Sequence, residues 1–114
     1  MPESGLTLLR GTLDLLILQA LRAGTKHGYA VSEWLESATD GTLLLEEGTL
    51  YPALHRLESK GWVDAEWGLS ENNRRAKFYR LTAAGRRRLG EEADAWQRYT
   101  EAVAKALSAG GARP

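Results

Sequence analysis

The chain has no cysteine among its 114 residues and only two histidines. The missing thiols exclude disulfides and thiolate metal sites, and they fit a reducing compartment. His27 and His55 are all that remains for soft metal ligation. They stand in unrelated segments, so neither a metal nor another cofactor is expected. No HExxH, P-loop or GxSxG pattern occurs, and the acidic doublets Glu46-Glu47 and Glu91-Glu92 read as exposed and solubilising, so no enzyme is expected. Long apolar runs are missing too. The longest, Leu15 to Leu18, falls far short of the eighteen or so residues that a membrane span needs. No basic segment followed by an apolar one opens the chain, which predicts no signal peptide and a cytoplasmic location. No helix joins a broad apolar face to a basic one, so no membrane contact is expected.

The chain also lacks net charge, with 15 basic against 15 acidic residues. A neutral total argues against a nucleic-acid partner, but the distribution along the chain matters more. Residues 1–46 carry 3 cations against 6 anions, residues 47–90 carry 9 against 5, and residues 91–114 carry 3 against 4. Positive charge is therefore gathered in the middle third. What is present otherwise, 43% hydrophobic and 26% charged residues, is enough for one folded unit with a real core.

Periodicity organises the rest. Leu8 to Ala23 is apolar on most sides and stops near Gly24, as a mostly buried helix would. His27 to Ala38 places Ala30, Val31, Trp34, Leu35 and Ala38 on one helical face. After a turn at Asp40-Gly41, a third helix ending at Gly61 buries Leu50, Ala53, Leu54 and Leu57. Gly48 or Thr49 is expected to cap its start, which puts Pro52 in the first turn. The period then changes to two. Trp62–Trp67 and Lys77–Thr82 read as strands of a hairpin, with Asn72-Asn73 at the tip because asparagine tolerates left-handed backbone. From Ala83 onward one long helix runs to a Gly110-Gly111 tail.

Three helices, a β-hairpin and a further helix make a mainly α fold: a winged helix-turn-helix over residues 1–82 with a C-terminal dimerisation helix and tail over 83–114. In that arrangement the third helix enters the major groove of double-stranded DNA and the hairpin, the wing, reaches the neighbouring backbone or minor groove. The outward face of the third helix offers Thr49, Tyr51, Pro52, His55, Arg56, Ser59 and Lys60. On the wing, Asn72 and Asn73 can hydrogen-bond bases or backbone, while Arg74, Arg75 and Lys77 can neutralise phosphates. His55 reads equally as an ordinary surface histidine. His27 reads as a locally packed helix-start residue, and Trp34, Trp62 and Trp67 as core or hairpin-packing residues.

The segments HGYAVSEWL, EEGTLYPALHRLESKGWV and EWGLSENNRRAKFYRLTAAGRRRL resemble the PadR family of bacterial transcriptional regulators, from about Gly11 to about Trp96. The resemblance implies a homodimeric winged-helix repressor released from DNA by a small hydrophobic or aromatic effector. It places the reading role on Thr49, Tyr51, Pro52, His55 and Arg56, the wing role on Asn72 to Lys77, and further phosphate contacts on Lys26 and Tyr29. It favours the family's short subclass, which has a single C-terminal helix.

Independently, Leu89, Ala93, Trp96, Thr100, Val103 and Leu107 follow at steps of 4, 3, 4, 3 and 4, a seam that one helix cannot bury alone. A twofold homodimer would bury it and present two reading helices to a pseudo-palindromic operator. Trp96 beside small residues either leaves an effector cavity at the dimer axis or simply fills the interface. A winged helix serving as a protein-interaction module without DNA is the competing class.

Overall fold

The computed structural model describes residues 11–109. Its elements are α1 (Leu13–Arg22), β1 (Lys26–His27), α2 (Gly28–Ala38), α3 (Glu47–Ser59), β2 (Val63–Leu69), β3 (Arg75–Leu81) and α4 (Ala83–Ala109). Helices α1 to α3, the first turns of α4 through Leu89, and one face of a three-stranded antiparallel sheet, ordered β1-β3-β2, enclose the core. Ile17, Leu18, Val31, Leu35, Leu50, Leu54, Leu57 and Val63 are its largest fully buried side chains. This is a winged helix-turn-helix, as the periodicity predicts.

Several boundaries differ from expectation. The first helix starts at Leu13, with Thr12 as its N-cap residue accepting the Leu16 N–H at 3.0 Å; Leu8 to Arg10 lie outside the described residues, as does the Gly110-Gly111 tail. The third helix is capped by neither Gly48 nor Thr49. Its N-cap is Glu46, in extended backbone, whose carbonyl accepts from the N–H groups of Thr49 and Leu50. The cause lies one residue earlier: Leu45 is buried and its carbonyl accepts the Ser32 hydroxyl at 3.1 Å, so the chain is already anchored when it reaches Glu46. Pro52 consequently sits inside the helix rather than in its first turn. The missing N–H and the clash of its ring with the preceding turn together cost about 3 kcal/mol. Complete burial of Leu50, Leu54 and Leu57, worth about 1.5–3 kcal/mol each, outweighs that loss.

The hairpin is longer than the period-two pattern suggests, running in register from Val63↔Leu81 to Leu69↔Arg75. Arg75 and Lys77 are therefore strand residues, and only Ser70 to Arg74 form the tip. There the Ser70 carbonyl accepts from Asn73, which adopts φ +59°, and the Ser70 N–H donates to the Arg74 carbonyl. Strand β1, absent from the sequence reading, adds Lys26↔Tyr79 and His27↔Phe78 to the other edge of β3.

Helix α3 ends where the wing and α4 begin. Gly61, at φ +77°, donates to the Glu58 carbonyl and Trp62 donates to that of Leu57, a Schellman closure that favours glycine. Thr82 then ties the two ends of the hairpin together. Its N–H donates to the Trp62 carbonyl at 3.1 Å, its hydroxyl donates to the Gly61 carbonyl at 2.7 Å, and the same oxygen accepts the Gly85 N–H at 3.0 Å. Gly85 fits because it has no side chain; a Cβ there would fall 1.9 Å from the Trp62 carbonyl oxygen.

Gly85→Ala should therefore cost about 3 kcal/mol or more in urea unfolding. Gly48→Ala, whose Cβ would meet no atom within 4 Å, should be neutral or stabilising by up to about 1 kcal/mol in the same assay.

Candidate nucleic-acid interface

Burial of Leu50, Ala53, Leu54 and Leu57 turns the opposite side of α3 to solvent, and Thr49, Tyr51, Pro52, His55, Arg56, Ser59 and Lys60 are all exposed there. They differ in how far the rest of the chain holds them. Tyr51 lies across the start of α2: a Cβ on Gly28 would fall 2.5 Å from its ring. Burial, with Glu47 nearby, raises the Tyr51 phenol above its ordinary value, so at neutral pH it is an uncharged donor and acceptor. Arg56 is ion-paired with Asp14 of α1, and Lys60 lies over the Trp62 ring at 5.0 Å. Thr49, Pro52 and His55 have no side-chain partner among the described residues.

The cations of the wing divide in the same way. Lys77 does not point into solvent as a free phosphate ligand would. Its Nζ donates to Glu58 Oε1 at 3.1 Å, clamping β3 to α3, and that hydrogen bond raises its pKa above the ordinary 10.5. Arg75 stacks on Trp67, its guanidinium carbon 4.4 Å from the ring centroid. Arg74, Asn72 and Asn73 are exposed at the tip, where the Arg74 side chain has no partner among the described residues. Lys26 is folded back on its own turn, its Nζ donating to the Gly24 carbonyl at 3.3 Å and lying 5.8 Å from the Trp34 ring centroid, and burial lowers its pKa. Tyr29, one helical position into α2, is open to solvent.

His27 is a helix-start residue: its Nδ1 accepts the Ala30 N–H at 3.2 Å, and its ring meets Phe78 edge to face. Trp34 and Trp62 pack against the core, but Trp67 does not, being 55% exposed. In Arg86-Arg87-Arg88, only Arg88 has side-chain partners among the described residues, Glu91, Glu92 and the Trp62 ring.

Along α4, Leu89 is buried in the core of its own chain, so the open part of the seam begins at Ala93. Tyr99, Val103 and Leu107 are exposed, and Trp96 and Thr100 partly so. Between α1 and α4 lies a groove of about 480 Å³ lined by Gly11, Thr12, Leu15, Glu92, Ala95, Trp96 and Tyr99.

An exposed polar face on the third helix stands beside the exposed wing-tip cations, and residues 17–91 match the Transcriptional regulator PadR-like family. The chain belongs to that family. A transcriptional regulator from Clostridium thermocellum is 31% identical, with 84% of this chain and 93% of that one covered and a TM-score of 0.76. A PadR family transcriptional regulator from Eggerthella lenta is 38% identical, with coverage of 86% and 83% and a TM-score of 0.72. The fold is shared more distantly with Bacillus subtilis PadR, solved in complex with operator DNA: 24% identity, 70% of this chain, 45% of that one, TM-score 0.63. None of the described helices is long and apolar enough to cross a membrane.

The clamp gives a pH test. A lysine whose folded-state pKa is raised stabilises the fold fully below its unfolded value, and the contribution is lost as pH rises through the raised value. In urea melts the wild type should lose more stability than Lys77→Met between neutral pH and pH above 10.5. Parallel losses would show that the Glu58 contact contributes nothing.

Proposed function

We propose that this PadR-family protein is a homodimeric, operator-binding transcriptional repressor, released by a small hydrophobic or aromatic effector. One observation carries the reading: the unburied face of α3 and the exposed wing-tip cations are held as one unit by the Lys77–Glu58 clamp. Thr49, Tyr51, Pro52, His55 and Arg56 serve as base-edge and groove contacts, with Lys60 at the helix end on phosphate. Arg74 and Arg75, with Asn72 and Asn73, bind the flanking backbone or minor groove. Lys26 and Tyr29 are the outer phosphate contacts. Arg56 would exchange Asp14 for the duplex, whereas Lys77 acts mainly by holding the wing.

The dimer would form along α4, where Ala93, Trp96, Thr100, Val103 and Leu107 remain uncovered by their own chain. Its twofold axis would set two α3 helices about one helical turn of DNA apart, matching a pseudo-palindrome. The α1–α4 groove at Trp96 has the size and mixed apolar lining of a small-molecule site. A ligand there acts as an inducer if it favours a protomer spacing that does not fit the operator.

The deciding experiment is fluorescence anisotropy with duplex DNA from the region upstream of the protein's own coding sequence, against a scrambled duplex, across a salt series. Salt-sensitive preference for the native duplex is expected; no binding at low salt would leave a protein-interaction module. In the same assay Arg74→Ala with Arg75→Ala should flatten the salt slope by about one or two units for every sequence. Tyr51→Ala or His55→Ala should instead narrow the gap between native and scrambled duplexes. Val103→Asp should give monomers in light scattering, and a surviving dimer would place the interface elsewhere.

A further inference from the structure

The face of the wing that continues the core changes character along its length. Val63, Ala65, Trp67 and Leu69 of β2 share it with Leu81, Tyr79, Lys77 and Arg75 of β3, as the register requires. At its base Val63, Tyr79 and Leu81 are buried, and midway Lys77 meets Glu58, so this face is turned toward α3. Nearer the tip, burial stops and aromatic area does not. Trp67 is more than half exposed on the free edge of the sheet, with the Arg75 guanidinium stacked on its ring.

The three wing cations are thus treated in three ways. Lys77 has a carboxylate partner that offsets its charge. Arg74 has no side-chain partner among the described residues and must lose its rotamer freedom when it binds anything. Arg75 is held by a ring, and a ring restrains a guanidinium without neutralising it. Stacking covers one face of the plane, while the N–H donors lie in the plane and stay available for a phosphate or a groove edge. Core packing does not account for the tryptophan, because so much of its surface remains in water.

We propose that Trp67 is a positioning residue for DNA binding: it pre-sets the Arg75 guanidinium toward the duplex, so that part of its ordering is complete before contact. The proposal rests on the operator-binding reading above and adds to it a residue that makes its contribution through another.

The test is a double-mutant cycle on the full chain with the upstream duplex, using Trp67→Leu, Arg75→Ala and both together, with Trp67→Phe as the conservative variant. Trp67→Leu should weaken binding about three- to tenfold. It should have no further effect once Arg75 is alanine, and Trp67→Phe should keep most of the affinity. In the free protein, the Trp67 ring current should shift Arg75 side-chain protons upfield in NMR spectra, and Trp67→Leu should abolish that shift while leaving the melting temperature unchanged. Wild-type affinity in Trp67→Leu, or losses that simply add, would overturn the proposal. So would a fall in melting temperature that tracks the loss of binding, since that marks a structural role. Arg74→Ala separates the underlying reading: if it and Arg75→Ala both leave affinity and salt slope unchanged, the wing does not bind DNA, and the positioning role falls with it even if the ring-current shift is present.

Discussion

Hydrogen bonds at Thr82 tie α3, the wing and α4 together where the three meet. The residue joins the end of α3, the base of the wing and the start of α4, through the Gly61 carbonyl, the Trp62 carbonyl and the Gly85 N–H. In the proposed function, α3 and the wing must meet DNA together, which requires a fixed mutual angle. If α4 pairs two protomers as proposed, its direction must also be fixed relative to both. Two of these contacts run through the Thr82 hydroxyl and one through its N–H, each to a backbone group of a neighbouring element, so the junction depends on this one side chain. Gly61 supplies the left-handed turn and Gly85 the close approach, so this short stretch of chain is constrained by sterics and hydrogen bonding together.

From that frame the use of charge becomes intelligible in a chain that has none in total. Cations concentrated in the middle third are not all offered to a partner. Arg56, Lys77, Arg80 and Arg88 are tied to carboxylates and Lys60 lies over a tryptophan ring, as does Lys26 from the first third of the chain. Partly exposed ion pairs of this kind are worth little for stability, at most about 1 kcal/mol each. The Arg56–Asp14 and Lys77–Glu58 pairs act on direction, since each joins two separate elements, whereas the Arg88 pairs lie within α4. The cations without a carboxylate partner among the described wing residues, Arg74 and Arg75, stand at or beside the tip of the wing.

How much of this was legible beforehand depended on sequence separation. Apolar spacing located the helices and the hairpin, and Asn73 showed as a left-handed tip residue, because these properties are set within a turn or a strand. His27 as a local helix-start residue was readable for the same reason. The Glu46 cap was missed because its cause is tertiary: Ser32, on α2, holds the Leu45 carbonyl. Strand β1 is two residues long and exists only because β3 lies beside it. Likewise the partners of Arg56 and Lys77 stand 42 and 19 positions away, and composition near a cation cannot reveal a carboxylate that folding brings to it. Trp67 looked like packing because alternation assigns it to the core face; what alternation omits is that the face outruns the core.

One element touches both ends of the proposed regulatory path. Helix α1 contributes Leu15, with the preceding Gly11 and Thr12, to the groove at Trp96, and from the same helical turn Asp14 reaches across to Arg56 on α3. An effector can alter DNA affinity only through a difference in how it interacts with two arrangements of the protein. A rigid shift of α1 would supply such a difference, because it changes the groove and the restraint on Arg56 together. Repacking at the dimer axis alone would act only through half-site spacing. The two routes are physically compatible, and the adjacency of Asp14 and Leu15 on one short helix means that a ligand bound against Leu15 would bear on both.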